Sequence, residues 1–371
     1  MPLTAPLHAD QTLLEGPGHH HDLVHAQKEI GRKGLYRLSR YGRRAAQNRR
    51  CVLVGHASSY PHSEASQGTL NFTGFYLASP CLPLHFNAVL IDSHCHLDAP
   101  PLAMEIERFL EQALGQEVLG IVVPGTHPDT WDSLALLRAS HPQHIEIAVG
   151  IHPEVLPEIP EERLSDALMG LEKSAVELGA VAIGECGLDG HTAKCFGIRI
   201  EHQLQVLSHH LEVATRLGLP LIVHVLGAHG AALAFFESQK AIKVPLIIHA
   251  FNGPKELIPR WLRLGAFFGI GPSITWSKAR RPQESARALP LNRILIETDA
   301  PWTWVEGNPQ RSGEPKEARL VLNALASLRG IEAKELEKCT TRNTLLAFSK
   351  GFESIRATMA RQALSSEPLK N

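Results

Sequence analysis

The 371 residues carry 37 Lys and Arg against 38 Asp and Glu, a formal net charge of −1, and 44% of them are hydrophobic. That balance excludes a protein that is basic overall and suits one large globular domain with an extension, or two modest domains. No apolar run reaches the ~18–20 residues that span a bilayer, no basic-then-apolar start marks a secretory signal, and six Cys without a CxxC pair predict a reducing, cytoplasmic setting.

Residues 1–86 mix Ser, Pro and Gly with little periodicity and are expected to form a basic, poorly ordered extension. Between Lys28 and Arg50, nine Lys or Arg face one acid, Glu29. A solvated tail explains this run, and electrostatic binding of nucleic acid is the alternative. His19, His20 and His21 lack a Cys or acidic ligand at useful spacing and read as incidental.

A regular alternation begins at residue 87. Short runs rich in Val, Ile and Leu predict strands at 88–93, 118–124, 145–151, 180–185, 220–224, 244–249, 265–270 and 293–298. Helical spacing separates them. In 200–217, Ile200, Leu204, Leu207, Leu211, Ala214 and Leu217 recur every three or four residues, Gly218 suits the helix end, and Pro220 prevents continuation. In 315–328, Pro315 suits a first helical turn and Ala318, Val321, Leu322, Leu325 and Leu328 supply the apolar face. Residues 87–350 thus form the domain, and 351–371 a C-terminal tail. Eight strands alternating with helices predict an α/β fold, a closed parallel TIM (β/α)8 barrel. An open doubly wound sheet competes, but no Gly-rich phosphate loop follows the first strand. A closed barrel needs no partner to complete its sheet, so a monomer is expected.

The first strand runs into Ile-Asp-Ser-His-Cys-His-Leu-Asp at 91–98. Alternate strand residues point to one side, so His94 and His96 face one point, as two ligands of one metal would. Glu185 ends the fourth strand, His224 the fifth and His249 the sixth, and Asp299 follows the eighth. Active sites of such barrels form at these C-terminal ends. Taken singly, each residue has a plainer role: a hydrogen-bonded core His, a mouth ion pair for Glu185, a cap for Asp299. Together, so many imidazoles and carboxylates would be costly to bury without a metal. Nitrogen and oxygen donors suit Zn²⁺, Mn²⁺ or Mg²⁺ without any Cys. The ligand number predicts two ions, ~3.5–4 Å apart, with Glu185 between them. Asp299 can also accept a proton from an attacking water. Glu185 and Asp299 are therefore the catalytic candidates.

Six segments in this order and spacing resemble the TatD-like family of metal-dependent deoxyribonucleases and hydrolases. They are 91–98, Val-Gly-Ile-His-Pro (149–153), Ile-Gly-Glu-Cys-Gly-Leu-Asp (183–189), Pro-Leu-Ile-Val-His (220–224), Ile-His-Ala-Phe-Asn-Gly (248–253) and Glu-Thr-Asp-Ala-Pro (297–301). Thr-Arg-Asn-Thr (341–344) is similar to the family's C-terminal helix region, and the resemblance covers about 89–349. It implies an amidohydrolase-like metallohydrolase barrel, often acting on DNA phosphodiesters. By position, His94, His96, Glu185 and Asp299 would hold one metal, and Glu185, His224 and His249 the other. His152 matches a family His beside the site, read as a substrate or phosphate contact with a structural turn as the alternative. Asp98 and Asp189 would orient loops or ligands. Some residues depart from the family pattern. After His224 the family often has a small residue and then Arg, whereas this chain has Val225, Leu226 and Gly227. A cation suited to phosphate is missing there, and His229 is the nearby candidate for substrate binding. Cys186 replaces an aliphatic residue and reads as packing. Gly313-Glu314-Pro315 stands where Asn-Arg-Pro is common.

The expected function is divalent-metal-dependent hydrolysis of DNA or nucleotidic phosphodiesters by activated water. A barrel amidohydrolase or esterase, acting on a small ester or amide or an aminoacyl-tRNA ester, is the alternative. A third reading is a nucleic-acid-binding protein that uses the basic N-terminal segment on a dormant barrel. Trp302, just past Asp299, either stacks on a base at the pocket mouth or packs on a neighbouring loop.

Overall fold

The computed structural model describes residues 89–240 and 242–365. The basic stretch, the triple His and the expected extension at 1–86 lie outside the described residues. Eight strands form one parallel sheet in sequence order: β1 (Leu90–Asp92), β2 (Val118–Pro124), β3 (Ile145–Val149), β4 (Ala182–Asp189), β5 (Leu221–Leu226), β6 (Leu246–Ile248), β7 (Phe267–Ile270) and β8 (Ile294–Ile296). The helices are α1 (Ile106–Leu114), α2 (Trp131–Ser140), α3 (Glu161–Glu177), α4 (Gly190–Phe196), α5 (Ile200–Leu217), α6 (His229–Ser238), α7 (Ile258–Arg263), α8 (Arg280–Ala288), α9 (Ala318–Arg329), α10 (Ala333–Ala347) and α11 (Glu353–Ser365). This is the TIM-type (β/α)8 barrel, and its seam is drawn together at β8 and β1. Across that seam Ser93 N donates to Ile296 O at 2.9 Å and Asp299 N to His94 O at 2.8 Å.

Most strands are shorter than the apolar runs suggest. The expected strand 293–298 stops at Ile296, and 88–93 at Asp92, because the backbone beyond them leaves the ladder. Cys95 N instead crosses to Val122 O and His96 N to Ala300 O. The fourth strand departs the other way and continues to Asp189. The helix expected at 200–217 is α5, ended by Gly218 in the left-handed region at φ 64°. Pro315–Glu317 form a 3-10 turn that leads into α9.

Two apolar layers follow from the period of two along each strand. Outward residues such as Val149, Ile183, Leu221, Val223, Ile248, Phe268 and Ile296 join the helices in one core. Inward residues Val122, Ala148, Ala182, Ile222, Ile247, Phe267 and Leu295, one from each of β2 to β8, pack with Leu345, Phe348, Phe352 and Ile355. Two residues further along their strands come His224, His249, Gly269 and Glu297. The period of two places all four inside the barrel, one layer nearer the C-terminal mouth.

The lower end of the barrel is closed by α10 and α11. Thr341 Oγ1 donates to Val89 O, and Asn343 Nδ2 donates to both Leu291 O and Ile294 O. The segment set apart as a C-terminal tail, 351–371, holds α11. Phe352 and Ile355 are 2% and 5% exposed, and Phe352 N donates to Glu146 Oε1 at 2.7 Å. A Cβ on Gly120 would come within 2.7 Å of the Phe352 ring, so β2 is bare there to admit it. Among the described residues, no helix is long and apolar enough to cross a membrane.

Phe352→Ala should lower unfolding stability by about 3–5 kcal/mol, from lost burial and the cavity left beneath the barrel. Urea denaturation followed by circular dichroism measures it. An unchanged midpoint would mean that this segment does not plug the fold.

Candidate metal centre

Glu185 sits at the middle of β4, where the strand bulges. Ile183 pairs with Leu221 but Cys186 with Val223, so three steps on β4 match two on β5. Such a bulge bends the strand and re-aims its side chains. Two glycines make the bend sterically possible: Gly184 has φ 128°, and a Cβ on Gly150 would fall 2.5 Å from the Gly184 Cα. The strand therefore does not end at Glu185. It turns the carboxylate inward and carries on to Asp189.

The carboxylate lies among five imidazoles and is 1% exposed. Its Oε1 is 2.7 Å from His249 Nε2, 3.1 Å from His152 Nε2 and 3.1 Å from His224 Nδ1. Its Oε2 is 3.1 Å from His94 Nε2 and 3.4 Å from His96 Nε2. Burial opposes its ionisation, but His249, His152 and His94 outweigh burial and hold it well below the usual carboxylate range. Asp299 Oδ1 stands 3.5 Å from His96 Nε2 and 3.9 Å from His94 Nε2. Burial raises the Asp299 pKa, yet His96, His249 and His94 bring it below the ordinary value. The structure thus brings together His94, His96, Glu185, His224, His249 and Asp299, the six ligand candidates of the sequence, and places His152, expected there as a substrate contact, against the same Glu185.

The donor atoms are arranged for a cation. His94 Nε2 and His96 Nε2 face each other at 3.2 Å, and His224 Nδ1 and His249 Nε2 at 3.0 Å. A proton can bridge one such pair, but it cannot serve both nitrogens and the carboxylate oxygen beside them. Glu185 Oε2 and His94 Nδ1 are buried and make no hydrogen bond. His94, His96 and Asp299 place ligand atoms within 4.8 Å of one another, and so do His152, Glu185 and His224. Burial and the neighbouring His249 lower the His94 pKa to about 4, which leaves its ring neutral with a lone pair to offer. Burial also disfavours charge on His96 and His224, but Asp299 raises the first to about 9 and Asp189 with Glu185 the second to about 10. A divalent ion would compete with those protons for the same nitrogens. The residues present fit such ions.

Supporting carboxylates fix these groups. Asp189 Oδ2 is 3.2 Å from His224 Nε2, so the imidazole presents Nδ1 to Glu185. Its Oδ1 accepts from His191 N at 2.6 Å and Thr192 N at 2.8 Å, capping α4. Gly187 lies between the two, and a Cβ there would meet His224 O at 2.1 Å. The sequence reading passed over Asp92 and Glu297. Asp92 accepts from Thr298 N at 2.9 Å and Thr298 Oγ1 at 2.6 Å, bracing the barrel seam just below His94. Burial pushes its pKa up to about 7. Glu297 is fully buried, accepts from Ala250 N at 2.5 Å, and lies 3.9 Å from His249 Nδ1. It occupies the space that a Cβ on Gly269 would take, 1.9 Å from its Oε2. Burial, then the nearby Asp299, raises its pKa well above the normal range. Both could have been found by counting back two residues from His94 and Asp299.

The remaining candidates divide. His152 caps a 3-10 turn through Glu154 N at 3.1 Å while its other nitrogen reaches Glu185. His229 starts α6 and stacks edge-on against Phe251 and Trp261, apart from the Glu185 cluster. Cys186 is buried on the helix side of β4, where burial pushes its thiol up.

Comparison with known proteins agrees with this geometry. The family profile described as TatD related DNase matches residues 91–349. The metal-dependent hydrolase YjjV of Escherichia coli K12 is 31% identical over 261 residues, 70% of this chain and 97% of its own. Its crystal structure superposes with a TM-score of 0.64, covering 70% of this chain and 98% of that one. A human protein named deoxyribonuclease TATDN3 is 32% identical over 268 residues, covering 70% and 95% of the two chains. An Erwinia tasmaniensis protein named 3'-5' ssDNA/RNA exonuclease TatD is 29% identical, covering 70% and 100%. With its strand-end histidines and carboxylates gathered at one mouth of a (β/α)8 barrel, the chain belongs to the TatD family of metal-dependent hydrolases.

Proposed function

We propose that the chain hydrolyses DNA phosphodiester bonds with two divalent metal ions, Zn²⁺, Mn²⁺ or Mg²⁺. The observation that carries this reading is the division of Glu185, with one oxygen toward His94 and His96 and the other toward His249 and His224. His94, His96, Glu185 and Asp299 would hold one ion, and Glu185, His224 and His249 the other. Ions bound there would polarise the phosphoryl oxygen and acidify the attacking water. Asp299, ionised beside His96, accepts the proton of that water. Asp189 keeps His224 Nδ1 turned inward. His152, after β3, and His229, at the start of α6, are the substrate-binding residues of this proposal. Nuclease names among the relatives support nucleic acid as the substrate. Among the described residues, Cys95, Cys186 and Cys195 are free thiols, which supports a reducing, cytoplasmic setting. We take the working unit to be a monomer.

A second reading is hydrolysis of a small ester or amide, or of an aminoacyl-tRNA ester. One feature favours it: the residues after His224 are Val225, Leu226 and Gly227, and Leu226 is exposed, so this strand end offers an apolar contact and no cation. The DNA-binding reading of the basic N-terminal segment lies outside the described residues.

Metal-stripped protein resupplied with Mg²⁺, Mn²⁺ or Zn²⁺ should regain cleavage of single-stranded DNA, and Glu185→Gln should lose about 10³-fold or more of that rate. Cleavage that survives both metal removal and Glu185→Gln would overturn the proposal. A metal-loaded protein that cleaves no DNA but hydrolyses aryl esters would favour the second reading.

Asp189→Asn should weaken metal binding by about 10–100-fold, as loss of a carboxylate behind a ligating His does. Asn also caps helices, so α4 should persist. Chelator competition measures the affinity, and an unaltered value would show that Asp189 serves only the helix.

A further inference from the structure

The loops after β7 and β8 carry three of the five tryptophans, Trp276, Trp302 and Trp304. The other two, Trp131 and Trp261, are 5% and 0% exposed and belong to the core. Trp302 is 49% exposed and Trp276 36%. Both are thus open to solvent beside the mouth, where an aromatic face can meet an unstacked base. Trp302 is also not loosely placed. Its backbone N donates to Asp299 O at 3.0 Å, so the indole is carried on the same turn as the catalytic carboxylate. Its ring centroid is 6.4 Å from that of His96.

The two loops are fastened to each other. Trp276 Nε1 donates to Trp304 O at 3.0 Å, and their rings meet edge to face at 5.9 Å. Ser277 donates to Glu306 through N at 2.9 Å and Oγ at 2.8 Å, and Glu306 N donates to Thr275 Oγ1 at 2.9 Å. Next along the chain come Lys278 on this loop and Arg280 and Arg281 at the start of α8, all exposed. None of the three makes an ion pair with another described residue. Arg281 lies close enough to His229 to act on it electrostatically, and His229 in turn feels His224. The two joined loops thus bring Trp302 close to His96 and lead into α8, whose Arg281 is within electrostatic reach of His229.

We infer that this lip is a nucleotide subsite: Trp302 stacks on the base next to the scissile phosphodiester, and Arg280 and Arg281 take the phosphates beyond it. The inference rests on the phosphodiesterase reading and adds the groups that grip the substrate. It also supplies the cation that the β5 loop lacks. Aromatic faces accept any unstacked base, so the lip confers a demand for a base rather than for a sequence. Because the loops are already tied together, little ordering is needed on binding.

The test is fluorescence anisotropy with the full-length protein as purified. The probe is a labelled, phosphorothioate-linked oligothymidine that resists hydrolysis, beside the same backbone bearing tetrahydrofuran abasic residues. Wild type should bind the base-bearing oligomer about tenfold or more tighter than the abasic one. Trp302→Ala should erase that difference, and Trp302→Phe should restore most of it. Arg280→Ala with Arg281→Ala should lower the slope of log affinity against log salt by about 1.4. The subsite is overturned if Trp302→Ala weakens both oligomers equally, which would mark a structural or protein-docking role, or if the base makes no difference to wild type. Cleavage of ordinary DNA by a wild type that ignores the base would leave the function standing without the subsite. A base-dependent affinity with no cleavage in any metal would support the subsite and sink the phosphodiesterase.

Discussion

A single buried negative charge organises the upper half of the barrel. An isolated carboxylate taken out of water costs several kcal/mol, and only partners with good geometry compensate it. Glu185 has five imidazoles within 3.4 Å, drawn from the ends of β1, β3, β5 and β6. Those nitrogens need the carboxylate as much as it needs them, because five rings packed together would otherwise repel on protonation. The centre is thus a balance of charges. Divalent ions fit that balance by replacing protons at the facing nitrogens.

Backbone features serve this arrangement at one remove. The β4 bulge exists where Gly150 and Gly184 allow two chains to touch, and it aims Glu185 down the axis. Asp92 ties β8 to β1 through Thr298, so the two halves of the proposed first ligand set, His94 with His96 and Asp299, hang on one hydrogen-bonded seam. Glu297 fills the hollow left by Gly269, behind His249. Stability is gathered at the opposite end. The apolar layer of β2 to β8 rests on Phe348 and Phe352, so the mouth can hold polar groups while the base stays dry.

The convergence of the proposed ligands was legible because a closed parallel barrel brings a simple pattern, a His or acid after an apolar run, together at one end. The boundaries were less legible, since an apolar run continues past the last ladder bond when the chain crosses the seam. The β4 bulge was hidden: glycines in Ile-Gly-Glu-Cys-Gly-Leu-Asp show that something close is allowed, but not which chain approaches. Asp92 and Glu297 were overlooked for a different reason. Each stands two residues before a proposed ligand and was read as part of the strand. Phe352, Ile355 and Met359 have helical spacing, but a short, mostly polar segment gives no sign that its few apolar groups cap a barrel. For Trp302 the sequence left stacking and packing even, and the 49% exposure of the residue weighs against packing.

Chemistry and recognition fall on different kinds of structure in this chain. A one-residue slip along a strand turns every side chain to the opposite face, so the ligand positions are fixed by the barrel register itself. The loops carry no such constraint and can change what they hold out to solvent. The stretch after His224 shows that freedom, with Leu226 exposed where a cation would have helped to hold phosphate. The charge has not vanished from the mouth, since Lys278 on the β7 loop and Arg280 and Arg281 at the start of α8 have no ionic partner among the described residues. Phosphate is a diffuse, many-oxygen target that can be met from several directions, whereas an in-line attack at phosphorus tolerates one. A barrel can therefore move its gripping cations from one loop to another while the carboxylate and imidazoles stay where the strands put them.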